Sequence, residues 1–183
     1  MAQIQFKELK PKEAIEFFQQ KGYAIGFSWE DIWQSEHQAA FTVAKVAQLD
    51  ILRDIREAFD ASLQNGTTFN DFKKRLEPLL KEKGWWGKSE MTDPLTGEKK
   101  MVQLGSPKRL EVIFETNMRT AASEGQWQRI QDTKETFKYL RYNANNSEHP
   151  RMQHSGWDNL VLPVDDPFWQ AHFPVKAYGC KCF

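Results

Sequence analysis

The feature that most constrains the fold is an interruption between Gly84 and Gly105. On either side apolar residues recur at helical spacing. The segment itself reads Gly84-Trp85-Trp86-Gly87 and then Asp93-Pro94-Leu95-Thr96-Gly97. Glycines flanking bulky rings let the backbone bend sharply around them, and the Asp-Pro-x-x-Gly run is a strong turn signal. A loop or small hairpin is therefore expected between helical parts. The chain divides on this reading into a helical N-terminal region, 1–84, a Trp/Gly-rich linker, 85–105, and a C-terminal domain, 106–183. Trp85-Trp86 serves either as a core plug for the loop or as an exposed interface anchor, and the flanking glycines favour the plug.

Pro11 followed by Lys-Glu-Ala-Ile-Glu-Phe-Phe predicts a short helix ending near Gly22. Ser28, three residues before Asp31, resembles a capping box. From there Trp33, His37, Ala40, Ala44, Ala47 and Ile51 recur at helical spacing and continue through Leu52, Ile55 and Phe59. This is one helix, or two with a break near Gln48 to Asp50, and Asn65-Gly66 ends it. Thr68 can cap a further helix through Phe72, Leu76, Leu79 and Leu80, in which Pro78 predicts a kink or an earlier boundary.

Ser106-Pro107 places a cap residue and a first-turn proline at the start of a long helix. Its buried stripe is Leu110, Ile113, Phe114, Met118, Ala121 and Ala122, and it is expected to reach about Gln131. Asn117 and Arg119 lie near that stripe, where a polar residue would bind loop carbonyls. Phe137 to Tyr142 is aromatic and alternating, which reads as a strand. Beyond Asn146 the chain is turn-rich, with Leu160-Val161-Leu162 as a second strand candidate. The fold class is thus α+β and mostly α-helical: a helical N-terminal part, and a long central helix packed on a small, β-containing, turn-rich C-terminal lobe.

Composition excludes several classes. The 25 basic and 25 acidic residues leave zero formal net charge, where a dedicated DNA binder usually shows a basic excess. Lys73 to Lys100 leans basic and Glu30 to Asp60 acidic, and solvated helix faces account for both. No run of 18 apolar residues is present, so no membrane span is expected. The opening Met-Ala-Gln-Ile-Gln-Phe-Lys has no apolar h-region of a secretory signal. Two cysteines near one end are no disulfide framework and suit synthesis in the cytosol. Aromatic residues make up 13% of the chain and include seven Trp, which implies a well-packed core and at least one protein partner.

Chemistry-bearing residues concentrate in the last forty positions. His154, His172, Cys180 and Cys182 supply two imidazoles and two thiolates, the ligand set of a tetrahedral structural zinc site. In a segment poor in regular structure, a metal would provide the cross-link that a small core lacks. The single residue between the thiolates is a tighter bite than the usual two to four. The same residues also fit two free thiols and a His172 packed beside Trp169 and Phe173. A catalytic arrangement would pair Asp165-Asp166 with His154 or His172, with Cys180 as nucleophile. No nucleophile elbow, Walker loop, dinucleotide fingerprint or HExxH motif accompanies it, and the acid pair also suits a turn cap before Pro167.

In order along the chain stand Tyr139-Leu140-Arg141-Tyr142-Asn143-Ala144, Arg151, His154, Trp157-Asp158 and Val161-Leu162-Pro163. Asp165-Asp166-Pro167-Phe168-Trp169, His172, Pro174 and Gly179-Cys180-Lys181-Cys182 follow. This succession resembles the C-terminal end of the phage Mu F-like head morphogenesis family. Upstream, Thr116-Asn117-Met118-Arg119-Thr120-Ala121 is similar to the family's Thr-Asn motif. Trp33, Glu36-His37, Ala40 to Lys45 and Gly84-Trp85-Trp86-Gly87 resemble its Mu-type subgroup. The likeness spans about residues 11 to 182. Departures fall at Asn146 to His149, at Trp157-Asp158-Asn159 and at Val175.

The resemblance implies a minor capsid component acting in virion head assembly near the portal vertex, and the aromatic content with the lack of a recognised catalytic motif makes a non-enzymatic role the expectation. Its partners would be the portal protein and major capsid or scaffold proteins, with contact to packaged DNA left open. It would be found in the virion, and in the host cytoplasm during assembly. Two other readings are a nuclease or ADP-ribosyltransferase-like effector, motivated by the clustered His149, His154, Asp165, Asp166 and His172, and a DNA-binding structural head protein, motivated by Lys73 to Lys100.

Overall fold

The structure, a computed structural model, describes residues 12–24, 40–46, 48–93, 96–144, 151–174 and 182–183. Among these, the helices are α1 (Lys12–Gln20), α2 (Leu49–Asn65), α3 (Phe69–Glu82), α4 (Pro107–Thr133), α5 (Met152–Gly156) and α6 (Pro167–His172). The strands are β1 (Gly22–Tyr23), β2 (Ala40–Phe41), β3 (Lys88–Thr92), β4 (Lys99–Gln103), β5 (Tyr139–Arg141) and β6 (Val161–Pro163). They form three separate two-stranded sheets: parallel β1–β2 and antiparallel β3–β4 and β5–β6. The fold is α+β and mostly helical.

Local signals set the helix ends. Thr68 and Asp71 form a reciprocal capping box at the start of α3, and Ser106 accepts from the Arg109 N–H at the start of α4, with Pro107 in the first turn. α2 ends at Gly66 as expected. α3 runs through Pro78 to Glu82, so the proline does not set its boundary. One expectation fails. Residues Ala40 to Val46 do not continue a helix into α2; Ala40 and Phe41 pair with Gly22 and Tyr23, and Lys45 adopts a left-handed φ of 61°. Phe41, Val43 and Val46 are buried there instead. The capping box read at Ser28 lies outside the described residues.

The main core is an aromatic chain through successive helices. Phe18 of α1 packs at a tilt against Phe59 of α2 at 4.5 Å and meets Phe41 edge-on at 5.6 Å. Phe114 of α4 then contacts Phe72 of α3 at 5.1 Å and Phe59 at 6.0 Å. Leu52, Ile55, Leu76, Leu80 and Leu110 fill the spaces between them, all fully buried. Such rings add about 0.5–1.5 kcal/mol per well-placed pair beyond the area they bury.

The β3–β4 hairpin is stitched into this core at its root. Trp85 is 4% exposed, so it is the plug and not a surface anchor. Its indole Nε1 donates to the Lys45 carbonyl at 2.9 Å. The Arg109 guanidinium lies over the Trp85 ring at 4.9 Å and donates to the carbonyls of Ala44, Gln103 and Leu104. One side chain thus joins the 44–45 turn, the end of β4 and the start of α4. Gly84 and Gly87 have φ of 71° and 77°, the left-handed geometry that lets the chain wrap these rings. Asn117 and Arg119 bond within α4, to the Ile113 carbonyl and to Glu115, rather than to loop carbonyls.

α1 lies against α4 so closely that a Cβ built on Gly125 would stand 2.9 Å from the Ala14 backbone nitrogen. Replacing an exposed helix-interior glycine by alanine normally stabilises by about 1 kcal/mol. Gly125→Ala is expected instead to destabilise by about 1–3 kcal/mol, because backbone cannot yield as a flexible side chain would. Urea unfolding reads the result, and a raised midpoint would refute the packing described.

Lys21 sits between these helices and α2, 6% exposed, with its amine 4.9 Å from the Phe17 ring. Burial lowers its pKa from 10.5 to about 8, opposed by the Glu124 charge and reinforced by Arg56. Between those two pH values the unfolded chain holds a proton that the folded chain has released, so stability rises with pH across this window. Lys21→Met is expected to abolish that rise in melting temperature; a variant that retains the full slope would assign it to other groups.

Candidate metal site in the C-terminal segment

After α4 the chain builds a second, smaller cluster. β5 and β6 pair with Tyr139 opposite Pro163, Leu140 opposite Leu162 and Arg141 opposite Val161, as the two strand candidates implied. Tyr142 is buried at the end of β5, and its backbone exchanges hydrogen bonds with Leu160 and Asn159 across a turn in which Asn159 has a φ of 63°. Trp169 is 2% exposed and donates from Nε1 to the Pro163 carbonyl at 2.9 Å, which holds α6 against β6. Asp166 caps α6 by accepting from the Phe168 N–H, with Pro167 in the first turn. The unit rests on the far end of α4 through Trp127 against Phe173 at 4.7 Å and Lys134 paired with Asp165 at 2.7 Å.

Trp157 is the centre of this cluster. It meets Tyr142 at 5.7 Å, Phe168 at 5.3 Å, His172 at 4.3 Å and His154, nearly parallel, at 5.4 Å. Both sequence-predicted histidines therefore lie on one indole. His154 comes from the short α5, His172 from the last turn of α6.

The third predicted ligand arrives by a long-range pairing. Asn143 and Phe183 exchange both backbone hydrogen bonds, at 2.8 and 3.0 Å. This short antiparallel contact lays Cys182 beside α5, where its sulfur stands 3.5 Å from His154 Nδ1. Burial, and then the charges of Arg151 and His172, hold the His154 pKa below its ordinary value, which favours the neutral imidazole. Cys180 lies outside the described residues. Among those described, no group of three His, Cys, Asp or Glu side chains is arranged to hold an ion. The structure thus brings His154 and Cys182 into contact and places His172 on the same ring.

The acid pair of the catalytic arrangement is engaged elsewhere, Asp165 by Lys134 and Asp166 by the α6 cap. Sequence reasoning assigned no part to Asn143 and Phe183, whose pairing positions Cys182, because a two-residue backbone contact across forty positions leaves no periodic signal. Trp157 stood within the quoted motifs, but nothing in its spacing marked it as the centre.

Residues 53–183 match the family described as Phage Mu protein F like protein. The chain is 38% identical over 174 residues to the putative capsid assembly protein F of Escherichia phage Mu, covering 95% of this chain and 39% of that protein. It is also 38% identical over 158 residues to the Mu-like prophage FluMu F protein of Haemophilus influenzae, covering 86% of this chain and 37% of that protein. This chain belongs to the phage Mu F-like family. It spans about two fifths of the length of these relatives. No solved structure matches it significantly.

Trp169→Ala removes the buried ring that joins α6 to β6 and is expected to cost about 3–5 kcal/mol. Denaturant unfolding followed by tryptophan fluorescence measures it. A change below about 1 kcal/mol, the size usual for an exposed surface site, would mean that the cluster does not depend on this ring.

Proposed function

We propose that this chain is a non-enzymatic part of a virion head assembly protein, acting near the portal vertex. The observation that carries this reading is the 38% identity over 95% of the chain to a relative named for capsid assembly. Its partners would be the portal protein and major capsid or scaffold subunits. It would reside in the virion and, during assembly, in the host cytoplasm. No helix among the described residues is long and apolar enough to cross a membrane.

The physical character of the chain supports protein contact over chemistry. Asp165 and Asp166 serve an ion pair with Lys134 and the cap of α6. Zero net charge gives no general attraction to DNA, so phosphate contact is a minor part of the reading. The β5–β6 region carries exposed apolar side chains, Phe137 at 66%, Tyr139 at 65% and Val161 at 53% exposure, of the kind that partner proteins cover.

Co-expression with the portal protein of the same phage or prophage, followed by size-exclusion chromatography, tests it. Co-elution of the two chains is the expected outcome. Separate elution of two folded proteins would overturn the portal assignment.

A further inference from the structure

The β5–β6 sheet has one face turned inward and one turned outward. Leu140 and Leu162 pair across the strands and are half-buried on the inner side, at alternate positions with the buried Tyr142 and Val164. The same alternation puts Tyr139, Arg141, Val161 and Pro163 together on the outer side, and all four are exposed. Tyr139 stands opposite Pro163 and Arg141 opposite Val161, and the exposed Phe137 continues the row two positions before Tyr139. The solvated face of an antiparallel sheet ordinarily carries polar side chains. This one carries Phe137, Tyr139, Val161 and Pro163 around a single arginine. Apolar residues scattered singly over a surface are ordinary, whereas a contiguous apolar patch marks a contact site. Tyr, Phe and Arg are also the types enriched where proteins meet.

We infer that the outer face of β5–β6 binds a different protein chain, through a segment that presents apolar side chains with a carboxylate among them. The charge distribution selects this occupant. Among the described residues the Arg141 guanidinium has no ion pair and no side-chain hydrogen bond. The acids flanking the two strands are engaged: Asp165 pairs with Lys134, whose amine Glu135 also attracts, and Asp158 accepts from the Ala144 N–H. Covering Arg141 therefore leaves a desolvated, unpaired charge unless the partner supplies the anion. A carboxylate matches the planar guanidinium with two parallel hydrogen bonds. A second copy of this chain does not meet the need, because a two-fold contact of the face with itself brings arginine towards arginine and no acid. Single-stranded nucleic acid would stack on Phe137 and Tyr139, but its backbone requires a positively charged groove, and this face has one cation. The inference rests on the head-assembly reading for the choice of proteins to probe, and adds to it the surface and the chemistry of the contact.

The test measures binding of the purified portal protein and the purified major capsid protein of the same phage or prophage to the parent chain and to Tyr139→Ser, Val161→Ser and Arg141→Glu. All three positions are exposed, so each variant is expected to keep the parent melting temperature. Lys74→Glu, a charge reversal at an exposed position of α3, is the control. One of the two head proteins is expected to bind the parent, with affinity lowered about tenfold or more in each face variant and unchanged in the control. The parent complex should weaken as salt is raised, and the complex of Arg141→Gln should respond less. Parent-like affinity in the face variants would overturn the surface and leave the head-assembly reading standing. No binding of either head protein to the parent would overturn both. A dimer of the parent that Tyr139→Ser dissolves would assign the face to a second copy instead. Tighter binding of a single-stranded oligothymidine, lost in Arg141→Glu, would assign it to nucleic acid; either result overturns the inference.

Discussion

The structure depends on one helix that is engaged at both of its ends. α4 inserts Leu110, Ile113 and Phe114 into the core shared with α1, α2 and α3. Its far end carries Trp127 and is followed directly by Lys134, the two contacts that seat the C-terminal cluster. Between them Gly125 allows α1 to approach backbone to side-chain-free backbone. A helix of this kind transmits position: where its first turn is fixed, the cluster at its end is fixed as well. Arg109 and Trp85 do the fixing, by tying the first turn to the hairpin root and to the turn at Lys45.

That arrangement separates two sorts of stability. The first core is aromatic and aliphatic, with nearly all its large side chains fully buried. The second is thin. Tyr142, Val164 and Trp169 are its buried hydrophobic residues among those described, beneath strands of three residues each.

Family membership and fold also bear on each other. The matched region begins at residue 53, inside α2, and runs through both clusters to the end of the chain. It therefore includes the β3–β4 hairpin, the long helix and the cluster around Trp157. Phe137 and Tyr139 are exposed where the chain leaves α4 and enters β5.

Much of this was legible in the sequence, because helix caps, turn signals and short strands are local. Thr68, Ser106 and Asp166 each satisfy an N–H within three residues, and the β3–β4 hairpin turns where Asp93 to Gly97 said it would. The segment Ala40 to Val46 misled, since small residues at helical spacing carry no penalty in an extended chain, and its pairing with Gly22 and Tyr23 was a tertiary choice. The candidate ligands were likewise readable as a set of residue types, while their meeting was not. Cys182 comes to His154 only through Asn143 and Phe183, and the histidines share Trp157 only because α5 and α6 fold onto one ring. Sequence by itself determined the elements and the chemical groups available. Tertiary structure alone decided which groups touch, because those contacts depend on backbone pairing and burial between segments far apart in the chain.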